Sequence, residues 1–432
     1  MSSIELTGGI PLYGELEIQG SKNAVLPILA ATILNKGISV LIGCPNISDV
    51  SHMTEVLQAL GCSITWNNNS LVVDATRLEQ EEISEEIAKK TRASILFLGA
   101  LLGRNKRAVV AYPGGCSIGK RPIDLHLKAL KEMGVVEKFC EDEKLICEAT
   151  ELIGNEIHLS FPSVGATENI ILAAVLATGT TVINGAAMEP EIIALCNFLV
   201  SAGANIEGIG TSTIKIIGVK QLNDTSFLVP KDRIVAGTYL TLVASTGGKA
   251  WLHGVNEYEL SAVLMELKKA GLKIRMSGEH CYIERTERLK PLQIETKPFP
   301  AFPTDMQSQF MAMLCTASGE STLIENIFEA RFLIVDELKK LGAIIHTDNN
   351  RAIITGVEKL VGAEIQAKEL RGGAALVIAG LTAMGSTIID NTDYIYRGYE
   401  DICKDLRQLG AQIKMLPKEE LIGHGKTHTK DS

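Results

Sequence analysis

The chain has 432 residues, 46% hydrophobic and 22% charged, with 42 basic against 51 acidic side chains for a net charge of −9. So much apolar material excludes a mainly disordered chain. The acidic balance excludes a broadly basic nucleic-acid surface, so no nucleic-acid partner is expected, although a local cationic cleft remains allowed. The longest apolar runs, such as 24–34, fall short of the roughly 20 residues that span a bilayer, so no membrane insertion is expected. The first residues carry no basic segment followed by an apolar one, which argues against a secretory signal. Nine cysteines without a C-x-x-C pair fit reduced thiols in the cytoplasm rather than a disulfide framework or a structural zinc site.

A helix end followed by glycine and a short apolar strand recurs six times, at Gly61, Gly134, Gly203, Gly271, Gly342 and Gly410. The spacing of 68–73 residues divides the chain into six similar units. Each opens with a helical stretch that is apolar nearly all round: 24–34, 93–102, 168–177, 236–245, 307–317 and 374–383. Helices without a polar face belong in an interior. A β-branched strand such as 38–42 follows, then an amphipathic helix such as 51–60 or 334–341 that ends at the repeat glycine, a residue suited to a left-handed C′ position. A strand pair such as 64–66 with 71–73 closes the unit. Three buried helices can bundle behind sheets, so two α/β globular halves of three units each, with a cleft between them, are predicted. A solenoid is the alternative, disfavoured because the outer units carry no polar capping variant.

The polar segments that open the buried helices contain Lys22, Arg92, Arg233 and Arg371 in four of six units, and Arg121, Arg331 and Arg397 stand where second helices are expected to begin. A cation at a helix N-terminus opposes the helix dipole. Taken singly, each reads as a solvated surface charge. Their recurrence at equivalent positions favours a bound anion, and a basic cleft in an acidic protein fits a phosphate-bearing substrate. Cys116 lies in a glycine-rich loop, Pro113-Gly114-Gly115-Cys116-Ser117-Ile118-Gly119, followed by Lys120 and Arg121. Neighbouring cations lower a thiol pKa, so Cys116 is a candidate nucleophile or proton donor, whereas Cys44, Cys196 and Cys315 read as buried hydrophobes. Asp305 stands where the other units carry cations. It is a candidate general base, or a helix N-cap ahead of Met306-Gln307; pattern alone favours the cap.

Several segments are diagnostic together: Gly20-Ser21-Lys22-Asn23-Ala24, Gly114 to Gly119 with Arg121-Pro122-Ile123-Asp124-Leu125-His126, Pro162-Ser163-Val164-Gly165-Ala166-Thr167-Glu168-Asn169, Phe302-Pro303-Thr304-Asp305-Met306-Gln307 and Arg397-Gly398-Tyr399-Glu400. Up to about Leu416 the chain resembles, in motif order, the UDP-N-acetylglucosamine 1-carboxyvinyltransferases, the enolpyruvyl transferases that open peptidoglycan synthesis. The resemblance implies two inside-out α/β barrels. One would hold 22–229, the other 1–21 with 230–420, leaving 421–432 as a polar tail. It also implies transfer of the enolpyruvyl group of phosphoenolpyruvate to the 3′-hydroxyl of UDP-N-acetylglucosamine with release of phosphate, without metal or organic cofactor.

By the same resemblance Cys116 protonates the phosphoenolpyruvate methylene, and is the residue alkylated by fosfomycin, while Asp305 is the base on the sugar hydroxyl. Lys22, Asn23, Arg121 and Arg397 meet phosphoenolpyruvate. Arg92, the run Arg121, Pro122, Ile123, Asp124 and Leu125, the run Ser163, Val164 and Gly165, Asp305 and Ile327 hold the UDP-sugar. Arg331 and Arg371 join the substrate-binding set as cations of the repeated junctions. Lys22 and Arg397 are expected on opposite sides of the cleft, so that closure gathers them on one anion. Asp393-Tyr394-Ile395-Tyr396 precedes Arg397 where the family usually reads Tyr-His-Ile-Asp, and Phe161 replaces a lysine found in some members. A paralogue acting on another nucleotide acceptor, the sister family acting on shikimate 3-phosphate, and a non-catalytic UDP-sugar-binding protein are the competing readings. The shikimate branch is disfavoured because its Gly-Asn-Ala-Gly-Thr motif is absent, and the silent protein because Lys22, Cys116 and Asp305 are all present.

Overall fold

A computed structural model describes residues 2–111, 123–139 and 144–416. Cys116, Arg121 and Pro122 therefore lie outside the described residues. The expected six apolar stretches are helices, at Lys22–Ala31, Leu96–Asn105, Val164–Ala174, Arg233–Thr246, Gln307–Leu314 and Leu370–Thr382. Nearly every residue of each is buried. Such helices need small contact residues. At Gly99 a Cβ would lie 2.3 Å from the Asn169 carbonyl oxygen of the neighbouring helix, and the Gly99 N–H donates to Asn169 Oδ1 at 2.7 Å. The repeat glycines close the amphipathic helices, and all six take φ between +88° and +106°, the left-handed region that only glycine occupies cheaply.

Among the described residues the strands form six four-stranded sheets of one pattern. The strand after the buried helix, such as Ile38–Ile42, pairs antiparallel with the second strand of a hairpin, here Ser63–Asn67 with Ser70–Asp74, and parallel with a short edge strand. Side chains alternate between core and solvent, as period-2 geometry requires; Thr180–Asn184 is an example. Three sheets take an edge or central strand from far along the chain. Thr225–Leu228 completes the first sheet, Tyr13–Glu17 the fourth, and the N-terminal Ser3–Gly8 fills the middle of the sixth, between Gly385–Asp390 and Gln412–Leu416. These returns close two groups of three units, which a solenoid does not do.

The buried hydrophobic residues accordingly form two cores. One is drawn from 24–229, the other from 4–18 and 234–413. Helices fill each interior and sheets cover it, so the fold is an inside-out α/β architecture with two halves. The chain crosses between them twice, side by side: Ser21 N donates to the Pro230 oxygen at 2.7 Å and Asp232 N to the Gln19 oxygen at 2.9 Å. Elsewhere the halves meet through polar contacts, among them Asn46 N to Glu400 Oε1 at 2.6 Å and the buried Arg233–Glu191 ion pair at 3.3 Å.

Candidate active site

Lys22 is the first residue of its helix, whose N-cap is Ser21, with Ser21 Oγ accepting from Ala24 N. The Lys22 N–H is held by Asp232 Oδ2 at 2.9 Å, and Asp232 also caps the Arg233–Thr246 helix through Ile234 N and Val235 N. One carboxylate thus aligns the openings of two buried helices, one from each half. It also offsets the unfavourable placement of cations at helix N-termini.

The Lys22 ammonium lies 2.7 Å from Asp49 Oδ2. Arg397 reaches the same carboxylate from the other half, with Nε 2.9 Å from Oδ1 and Nη2 3.3 Å from Oδ2. Asp49 is only 1% exposed. Its carboxyl is held down to about 2: burial opposes this, and the charge of Lys22, with the hydrogen bonds and charge of Arg397, overcomes it. Lys22 is shifted down, first by burial, with Arg371 and Arg397 adding and Asp49 opposing. Lys22 and Arg397 are thus already gathered across the cleft, with an aspartate between them. Asp49 also answers the sequence departure ahead of Arg397. A carboxylate 348 residues away helps to orient the guanidinium, and Tyr396 sets its hydroxyl 3.8 Å from Cys403 Sγ.

Asp305 lies in a short 3₁₀ turn, Thr304–Met306, and makes no N-cap hydrogen bond. The cap reading is corrected: the carboxylate faces the cleft because two buried guanidiniums attract it more strongly than free helix N–H groups do. Arg331 Nη2 is 2.6 Å from Oδ1; Arg371 Nη2 and Nε are 2.9 and 3.2 Å from Oδ2; Asn23 Nδ2 donates at 3.4 Å. The two arginines are 2% and 4% exposed, whereas Asp305 is 25% exposed, so its carboxylate is the accessible member. Arg371, Arg331 and Lys22 hold the Asp305 carboxyl far below the usual carboxylate range against the opposing effect of burial, the largest single influence. Arg331 Nε and Arg371 Nη1 are buried with no hydrogen-bond partner among the described residues. Unmet buried donors are costly, and anionic oxygens would satisfy them.

Two junction positions differ from expectation. Arg331 and Arg397 do not open second helices, which begin later at Val335 and Ile402. Arg331 sits in the preceding turn and Arg397 ends a 3₁₀ segment, Thr392–Arg397, which frees both side chains to reach across the cleft. Glu369 caps the Leu370–Thr382 helix through Gly372 N and Arg371 N, and its carboxylate lies 3.8 Å from Arg331. Glu325 fixes the turn of Ile327, accepting from Ile327 N at 2.8 Å, and binds the Thr304 hydroxyl at 2.9 Å beside Asp305.

The remaining candidates form a second group. Ile123 is buried and opens the Asp124–Glu132 helix, Asp124 is exposed and Leu125 half-buried. Ser163 caps the Val164–Ala174 helix, placing Val164 and Gly165 in its first turn. His126 joins the two helices: a Cβ on Gly165 would lie 3.1 Å from its ring, and Asn169 Nδ2 is 3.1 Å from its Nδ1. Burial, helped by the charge of nearby Arg92, holds the imidazole down to about 4, hence neutral. Sequence reasoning missed Asp49, Asp232, Glu325 and Glu369. Each is an acid near a helix start or turn, which marks an ordinary cap and gives no sign of its distant partner. The seven described cysteines are free and buried, and burial pushes the Cys44, Cys196 and Cys315 thiols up to about 12.

Comparison with known proteins places these residues in a family. The model for EPSP synthase (3-phosphoshikimate 1-carboxyvinyltransferase) matches residues 6–420. The UDP-N-acetylglucosamine 1-carboxyvinyltransferase 2 of Caldanaerobacter subterraneus is 47% identical over 96% of this chain and 99% of its own length. The UDP-N-acetylglucosamine 1-carboxyvinyltransferase 1 of Carboxydothermus hydrogenoformans is 44% identical over 97% of this chain and its own full length. Among solved structures, the enolpyruvyl transferase NikO from Streptomyces tendae superposes with a TM-score of 0.87 over 96% of this chain and all of that one, at 22% identity, a likeness of fold. The six-unit architecture and the near full-length relatives agree: the chain belongs to the EPSP synthase family of enolpyruvyl transferases.

Proposed function

We propose that this chain transfers the enolpyruvyl group of phosphoenolpyruvate to the 3′-hydroxyl of UDP-N-acetylglucosamine and releases phosphate. The observation that carries the reading is the pairing of Asp305 with Arg331 and Arg371 beside the Lys22–Asp49–Arg397 triad, in a chain 47% identical to a protein of that name. Addition of the hydroxyl to C2 of the enol phosphate needs a base on the alcohol, a proton donor to the methylene, and fixed cations for the phosphate and carboxylate charges; loss of a proton from the resulting methyl group then expels phosphate and restores the double bond. Asp305 is the base, Cys116 the acid, and Lys22, Arg121 and Arg397 hold phosphoenolpyruvate with Asn23. The acceptor lies along Arg92, Ile123 to Leu125, Ser163 to Gly165 and Ile327, and its anionic oxygens engage Arg331 and Arg371.

A carboxylate clamped by two guanidiniums is a poor base. Acceptor oxygens that draw on the unmet donors of Arg331 and Arg371 would loosen the clamp and raise the proton affinity of Asp305 when the hydroxyl arrives. The two cores are read as two domains, 22–229 and 1–21 with 230–420. The acidic net charge and free cysteines support a cytoplasmic enzyme without nucleic-acid partners, and no helix among the described residues is long and apolar enough to cross a membrane. Phosphate release from phosphoenolpyruvate, measured with and without acceptor, tests the proposal. Release that requires UDP-N-acetylglucosamine supports it; release with shikimate 3-phosphate instead, or with neither acceptor, overturns it.

A further inference from the structure

On the solvent face of the fourth sheet, two histidines stand directly opposite each other on antiparallel strands. His253 ends Lys249–His253, His280 begins His280–Glu284, and the two are register partners. Their Nδ1 atoms are 2.7 Å apart, with ring centroids 4.7 Å apart and planes inclined at 77°. The other nitrogen of His253, Nε2, is 3.2 Å from Glu15 Oε2 on the parallel neighbour strand. The pair borders a surface pocket of about 280 Å³ lined by Glu15, Trp251, His253, Ser277 and His280.

With both rings neutral, the two contacts fit one pair of tautomers. Donation from His253 Nε2–H to Glu15 leaves a lone pair on His253 Nδ1, so His280 Nδ1 donates the shared proton. A histidine whose outer N–H is held by a carboxylate while its inner nitrogen points at a second imidazole has the arrangement of a metal ligand with its orienting partner. We propose that His253 and His280 chelate a borderline divalent cation of the Zn²⁺, Ni²⁺ or Cu²⁺ class through their two Nδ1 atoms, with Glu15 as the positioning residue. Imidazole suits these ions, whereas magnesium and calcium prefer oxygen donors. Among the described residues no three His, Cys, Asp or Glu side chains converge on one point, so water from the open pocket completes the coordination.

Two imidazole nitrogens about 2.0–2.1 Å from a tetrahedral ion lie about 3.3 Å apart. The observed 2.7 Å therefore requires the rings to part by roughly 0.6 Å. His280 moves its proton from Nδ1 to Nε2, which faces solvent, so no net proton is lost when both rings begin neutral.

The test is titration of the full chain with Zn²⁺ by calorimetry, and with Cu²⁺ by electron paramagnetic resonance after alkylation of accessible thiols. His424 and His428 could chelate by themselves, so both are changed to Ala in the background protein. Binding should survive that change and show splitting from two nitrogens. His253→Ala or His280→Ala should abolish the site, and Glu15→Gln should weaken it by about 10-fold, the effect typical of a lost orienting partner. Melting curves confirm that the variants fold, and the two-nitrogen signature of the unmutated sheet needs no variant. Binding unchanged in both His253→Ala and His280→Ala, binding lost with the two tail histidines, or an oxygen-only copper signal would overturn the assignment.

Discussion

Replacing Asp305 by Asn isolates the electrostatics of the site, because the side chain keeps its size and an acceptor oxygen but loses its charge. Two guanidiniums, 2% and 4% exposed, then share no carboxylate at 2.6–2.9 Å. Breaking a buried ion pair by removing one partner costs about 3–5 kcal/mol. The loss here lies nearer 2–3 kcal/mol, since Asp305 is a quarter exposed and Glu369 stays 3.8 Å from Arg331. For a half of some 200 residues, that lowers the melting temperature by about 5–10 °C. The folded carboxyl titrates below its unfolded value. The stabilisation is therefore fully present above the unfolded pKa of about 4 and is lost only as pH falls through the lower folded value. Wild type and variant should thus differ at neutral pH and converge in strong acid.

The unpaired guanidiniums of the variant should welcome anions, so UDP-N-acetylglucosamine should raise the melting temperature of Asp305→Asn more than that of wild type. Turnover should fall by about 10²–10⁴-fold, as expected for a lost general base. Thermal melts with and without acceptor, paired with phosphate release, give all three quantities. A ligand-free variant as stable as wild type would refute the electrostatic account, and near-normal turnover would refute the base.

Asp49→Asn removes the group that keeps buried Lys22 charged, so the alkaline limb of the kcat/KM profile for phosphoenolpyruvate should move to lower pH; an unmoved limb would show that Asp49 does not support Lys22. Glu259 is pushed up to about 7, by burial first, with Glu191, Asp232 and Glu279 adding to it and Arg233 opposing. A raised carboxyl stabilises fully below its unfolded pKa of about 4 and loses that contribution as pH rises through about 7. Glu259→Gln should therefore melt above wild type at pH 8 and equal to it near pH 4, and equal melting at pH 8 would count against the shift. Fosfomycin should label Cys116 alone when peptides are mapped by mass, because Lys120 and Arg121 follow it in its glycine-rich loop, the seven described cysteines are buried, and the remaining Cys140 is followed by the acids Glu141, Asp142 and Glu143, which disfavour a thiolate. Cys116→Asp should resist the drug while keeping some turnover, since a carboxylic acid can still donate a proton.

The architecture was legible because it is written in local, repeated patterns. Apolar stretches without a polar face must be interior helices, and a glycine every 68–73 residues marks six left-handed helix ends. Lys22 and Arg371 stood out as cations at repeated junctions, whereas Asn23 was named only through the family resemblance. What no local pattern carried was the pairing across the cleft. Asp49 lies in the first turn of an ordinary amphipathic helix, where an acid already has a reason to be, and only the meeting of the two halves puts it between Lys22 and Arg397. The same holds for Asp305, whose sequence context suits a cap. Its carboxylate turned to Arg331 and Arg371, 26 and 66 residues further on, because two buried positive charges outweigh a helix N-terminus, and charges from distant segments meet only once the chain has folded.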